Sequence, residues 1–157
     1  MRLPWGKNKD KGEKIEETLK DELILGLASQ TNDDAEEFIS TLESKFENVS
    51  DSEKARTLLK IGDVLYDHSY FIHSLKSWTN ALIYYTKIKD IDTESVCYSN
   101  IGLAYKQLGE YQKALEYHEK ALAIKKDIGD RNGEANCYAN IGNVYKSLSQ
   151  YQKAINV

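Results

Sequence analysis

Shifted by forty residues, the chain matches itself, and this internal repeat constrains its fold more than any other feature. Residues 94–117 fall on residues 134–157, and thirteen of the twenty-four pairs are identical. They include Cys97/Cys137, Tyr98/Tyr138, Asn100/Asn140, Gly102/Gly142, Tyr105/Tyr145, Lys106/Lys146, Tyr111/Tyr151 and Ala114/Ala154. Shifting back by the same step finds a more diverged copy. There Ile61, Gly62, Leu75, Ala81 and Leu82 lie under Ile101, Gly102, Leu115, Ala121 and Leu122. A chain built this way stacks one small unit several times. The repeats are placed at 54–93, 94–133 and 134–157, the last one cut short.

Inside one repeat the spacing is helical. Tyr98, Ile101, Gly102 and Tyr105 lie at i, i+3, i+4 and i+7, which is one face of a helix. Tyr111, Ala114, Leu115, His118, Ala121, Leu122 and Lys125 form a similar stripe in the second half. Between them Leu108-Gly109-Glu110 supplies a turn whose glycine stops the first helix. Each repeat therefore reads as two antiparallel helices. Gly102 sits mid-helix, where glycine costs about 1 kcal/mol relative to alanine, and it recurs as Gly62 and Gly142. The expected compensation is close packing against Ala114 or Ala121 of the partner helix, with axes about 8–10 Å apart. Tyr98, Tyr105 and Tyr111 are expected to fill the wider parts of that seam, and Tyr138, Gly142 and Tyr145 repeat the same signature.

The run Tyr98-x2-Ile101-Gly102-x2-Tyr105-x5-Tyr111-x2-Ala114-x6-Ala121 resembles the signature of the tetratricopeptide repeat (TPR) family. The resemblance covers residues 54–157. The period is longer than the family's common one of about 34 residues. The proline usual near the end of the second helix is absent, and Lys125-Lys126-Asp127-Ile128-Gly129-Asp130 stands there instead. That ending resembles the long repeats of G-protein signalling modulators, kinesin light chains and bacterial peptide-responsive regulators. The resemblance implies an all-α solenoid of antiparallel helix pairs wound into a right-handed superhelix. It also implies a non-catalytic scaffold that binds a protein or peptide in a concave groove.

By the same resemblance, the groove is lined by the first helix of each repeat. One repeat offers Val96, Ser99, Asn100, Leu103, Lys106 and Gln107; the next offers Asn136, Ala139, Asn140, Asn143, Lys146 and Ser147. An asparagine amide donates and accepts at once, so Asn100 and Asn140 either hold an extended peptide backbone or only tie neighbouring helices together. Lys106 and Lys146 favour an acidic or carboxylate-bearing ligand. Leu59 and Asp63 stand where carboxylate-clamp repeats carry Lys and Asn, which disfavours capture of a chaperone tail by that mechanism.

Residues 1–12 read as a disordered polar tail and residues 13–50 as a helical hairpin, a degenerate repeat or N-terminal cap. Ile15, Leu19, Leu23 and Leu27 mark its first stripe, with Thr31 or Asn32 capping the second helix. Ala35, Phe38, Ile39, Leu42 and Phe46 mark the second stripe, ended by Asn48-Val49-Ser50. The chain stops at Val157, within the first turns of a second helix. An open apolar face is expected there, pointing to a fragment of a longer array, to a regulatory domain of a longer signalling protein, or to homo-oligomers stacking through that face.

Other functions find little support. A net charge of −4 provides no global field for nucleic acid. No stretch approaches the roughly 18–20 apolar residues of a membrane span, and the polar N-terminus carries no signal-peptide core, so a cytoplasmic location is expected. Cys97 and Cys137 lie one repeat apart, too far for a disulfide, and read as reduced packing residues. His68, His73 and His118 complete no metal-ligand or acid–base spacing. His118 falls where the resembled repeats favour an aromatic. The lysines between Lys120 and Lys126 read as a solvated helix face. No cofactor is implied.

Overall fold

A computed structural model describes residues 35–155 of the chain. The expected tail, the Ile15–Leu27 stripe and the Thr31/Asn32 cap lie outside the described residues. Among those described the fold is all-α: α1 (Ala35–Ser44), α2 (Asp51–Asp67), α3 (Phe71–Ile88), α4 (Ile91–Gln107), α5 (Tyr111–Asp127) and α6 (Arg131–Ile155). The helices group into two compact units, one ending at Ile88 and the other beginning at Lys89.

In the first unit α2 starts on a capping box. The Ser50 hydroxyl accepts the Glu53 N–H, and the Glu53 carboxylate accepts the Ser50 N–H at 3.3 Å. Leu58, Ile61 and Leu65 of α2 and Trp78, Ala81 and Tyr85 of α3 are buried, as are Ile39 and Leu42 of α1. The helices α2 and α3 pack as a hairpin, and α1 rests on α3. Two bonds fix the register of the hairpin. Ser77 Oγ donates to the Leu58 carbonyl at 2.7 Å, and Trp78 Nε1 donates to Asp63 Oδ1 at 3.0 Å.

In the second unit α4 and α5 form a hairpin and α6 packs along α5. The turn is closed at Gly109, φ 77°, with the Glu110 N–H donating to the Tyr105 carbonyl at 2.9 Å. Ala114, Leu115 and Val144 form one core cluster, and Ala121, Leu122 and Cys137 another. Cys97 and Cys137 are free and buried.

The glycine expectation needs correction. Gly62 and Gly102 face rings, not alanines. A Cβ on Gly102 would come within 2.7–2.9 Å of three His118 ring atoms, and one on Gly62 would strike the Trp78 indole. Trp78 and His118 are themselves forty residues apart, so one slot-and-ring contact is built twice. The physical reason is side-chain direction: the bulky group opposite a missing Cβ fills the space, while the alanines set the axis separation on either side.

The third copy departs further. A Cβ on Gly142 would meet no described atom within 4 Å, and Tyr138 and Tyr145 are 52% and 54% exposed rather than in a seam. No turn forms at Leu148-Ser149-Gln150; α6 runs through it. Serine does not forbid the turn, since Ser69 adopts φ 65° at the matching place between α2 and α3. That left-handed conformation costs roughly 1–2 kcal/mol, which hairpin packing offsets in the first unit. Among the described residues nothing folds back on α6 to offset it.

Candidate functional site

The candidate groove of the second unit is carried by α4 and α6, and an ion-pair clasp built on Lys125 of α5 links the start of α4 to the turn before α6. Lys125, near the end of α5, lies on the inner stripe that the spacing assigned to it, with its side chain only 11% exposed. Its Nζ reaches Asp92 Oδ1 of α4 at 2.6 Å and Asp130 Oδ2, just before α6, at 3.0 Å. Asp130 in turn accepts the Gly133 N–H at 2.9 Å, the role Asp90 plays for Thr93 at 3.1 Å one repeat earlier. Burial alone would lower the Lys125 pKa, but the two carboxylates more than offset it and hold the ammonium above its usual range. Lys125 is therefore no part of a solvated face. Its position on the stripe was the signal, outweighed in the sequence reading by the lysines around it.

Lys125→Met keeps the stem and removes both ion pairs. Because the Asp92 side chain stays 70% exposed, the loss is discounted toward surface values, to about 1–2 kcal/mol. Urea denaturation in low salt measures it, and the difference from the parent shrinks in high salt.

On α4, Asn100, Leu103 and Lys106 are half-buried and Gln107 is exposed. On α6, Asn140 is half-buried while Asn136, Asn143 and Lys146 are exposed. Each set follows helical spacing, so each occupies one stripe of its helix. The Cys137 thiol hydrogen-bonds Ser99, joining α6 to α4, and burial raises its pKa. Sequence reading had taken Cys137 as packing only and did not pair it with Ser99. Ser147 Oγ donates to the Asn143 carbonyl at 3.0 Å, within α6. The two cations of the stripes are Lys106 and Lys146, and none of the eight residues is acidic.

Behind the α4 stripe lies His118, wholly buried, with no hydrogen-bond partner on either ring nitrogen among the described residues. Burial, reinforced by the charge of Lys106, pushes its pKa down to about 4. Across the same hairpin the Tyr117 ring sits between Tyr98 and Tyr105, at 6.1 and 5.4 Å. Lys113 lies 5.3 Å from the Tyr105 ring and Lys120 4.6 Å from that of Tyr117. These tyrosines and His118 are accounted for by packing. Among the described residues no group of three or more His, Cys, Asp or Glu is placed to hold a metal ion, and no helix is long and apolar enough to cross a membrane.

The chain matches the family model described as "Tetratricopeptide repeat" over residues 61–127 and again over 94–157. It is also similar to human G-protein-signaling modulator 1, at 46% identity over 43 residues. That match takes in 27% of this chain and 6% of the relative, so the chain spans only a small part of that protein's length.

Proposed function

Because the chain belongs to the tetratricopeptide repeat family of protein-interaction scaffolds, we propose that the α4/α6 face binds an extended, acidic segment of a partner protein. The observation that carries this reading is the pairing of Asn100 with Asn140 and of Lys106 with Lys146, at the same repeat position on two helices of one unit. Amides at a fixed interval can hold a peptide backbone with little regard for its side chains. The lysines add a preference for carboxylates. A groove folded before the ligand arrives costs little ordering entropy on the protein side.

The experiment is a screen of extended peptides of graded acidity, followed by fluorescence anisotropy on variants. Asn100→Ala/Asn140→Ala is expected to weaken the best peptide about tenfold or more. Lys106→Glu/Lys146→Glu is expected to invert the preference for acidic over neutral peptides. Peptide binding untouched by both double variants would sink the reading.

A further inference from the structure

A cleft of about 370 Å³ opens between α1 and α3 of the first unit, helices that contribute nothing to the groove. Ile39, Ser40 and Glu43 of α1 line one wall, and Lys76, Thr79 and Asn80 of α3 line the other. Ile39 is buried and supplies an apolar floor, while Ser40, Glu43 and Thr79 are exposed. Ligand sites run from roughly 300 to 1,000 Å³, so this one takes a single long side chain rather than a helix.

The hydrogen-bonding groups of the cleft are committed unevenly. Thr79 Oγ1 donates to the Leu75 carbonyl at 2.7 Å, and Asn80 Nδ2 donates to the Lys76 carbonyl at 3.0 Å. Lys76 has a further partner of its own. The acceptors are left over. The Glu43 carboxylate makes no hydrogen bond or ion pair among the described residues, and Asn80 Oδ1 is the end of its amide turned away from the Lys76 carbonyl. No cation stands on α1 itself. Lys87 is tied to Asp51 at 2.6 Å, and Lys54 lies over the Tyr84 ring, so the cations at that end of the unit have other partners.

A ligand that completes this cleft therefore brings donors and positive charge. Arginine meets the requirement better than lysine, because its planar fork reaches two acceptors at once from a stem that lies on apolar surface. Ile83, 59% exposed, lies one turn beyond Thr79 and Asn80 on the same stripe of α3 and offers apolar contact beside the cleft.

We propose that the α1/α3 cleft of the first unit binds an arginine of a partner protein with an aliphatic residue beside it. The guanidinium donates to the Glu43 carboxylate and to Asn80 Oδ1, its stem rests on Ile39, and the aliphatic neighbour covers Ile83. The site takes a cation where the α4/α6 groove takes carboxylates, so it stands or falls apart from the groove reading.

The probe is the peptide acetyl-Ala-Arg-Leu-Ala-amide, titrated into the ¹⁵N-labelled full chain and followed by ¹H–¹⁵N NMR. Saturable shifts are expected at the backbone amides of Ser40, Glu43, Thr79 and Asn80. The dissociation constant is expected at about 1 mM or below, the range of a partly exposed ion pair with some apolar contact. Lysine in place of the peptide's arginine weakens binding about threefold or more, and glutamate abolishes it. In the protein, Glu43→Gln is expected to weaken the arginine peptide about fivefold or more. Ile83→Ser removes the advantage of leucine over alanine after the arginine, and Asn100→Ala/Asn140→Ala changes nothing. Glu43 and Ile83 are both exposed, so the fold survives their substitution. Equal binding of the arginine and lysine peptides, or binding indifferent to Glu43→Gln, overturns the proposal. So does a titration that leaves the cleft amides unmoved, or one whose shifts spread over other acidic surfaces without saturating.

Discussion

Gly102→Ala is expected to lower the stability of the second unit by about 1–2 kcal/mol, whereas Gly142→Ala is expected to raise it by up to about 1 kcal/mol. The two glycines hold the same repeat position, so a rule based on sequence would treat them alike. Alanine gains helix propensity at both. At position 102 the new methyl must enter space already taken by the His118 ring, at 2.7–2.9 Å. Overpacking of a closed site costs typically 1–3 kcal/mol and outweighs the propensity gain. At position 142 the methyl meets no described atom within 4 Å and only the gain remains. Urea denaturation followed by circular dichroism measures both. The mechanism has its own check: in a His118→Ala background Gly102→Ala loses its penalty, because the residues it couples are in contact.

The second large effect is on pH dependence. His118 has a pKa near 4 in the folded chain against an ordinary 6.5. Below pH 6.5 the unfolded chain takes up a proton that the folded one refuses, so stability falls as pH drops through that window and levels off near pH 4. The shift corresponds to about 3 kcal/mol in all. Asp51 and Asp130, held below 3.8 by Lys87 and by the Gly133 N–H respectively, lose their contribution only under more acid conditions. Asp63, raised by desolvation, changes in the opposite sense. The difference between parent and His118→Phe isolates the histidine. The variant is expected to lose the share of the slope between pH 6.5 and 4 that His118 contributes, and at pH 7 to be at least as stable, since no unpartnered ring nitrogen remains buried at position 118. Equal slopes in parent and variant would remove His118 as the cause.

The helical hairpins were legible because their determinants are local. The i, i+3, i+4, i+7 spacing of Tyr98 through Tyr105 and the glycine at 109 specify a helix and its stop without any knowledge of neighbours. What the glycines face was not legible. Spacing places Gly102 on the seam, but only the azimuth of α5 decides whether His118 or an alanine lies opposite. The unbroken α6 was hidden for a related reason: Ser149 and Ser69 are the same residue at the same place, and packing on the far side decides which one turns. Lys125 shows local composition misleading where periodicity was right. Its place on the stripe of Tyr111, Ala114 and His118 marked it as inward, and Asp92 and Asp130 make that burial tolerable. The groove residues stand differently, because their assignment came from resemblance to a family and their chemistry is tested only by a ligand.

That test is most direct by ¹H–¹⁵N NMR of the labelled full chain, titrated with the tightest acidic peptide from the screen. The account predicts that shifts concentrate on the side-chain amides of Asn100 and Asn140 and on the backbone around Lys106 and Lys146. Shifts confined to Tyr138, Gly142 and Tyr145, or to α1–α3, would contradict the groove as the peptide site.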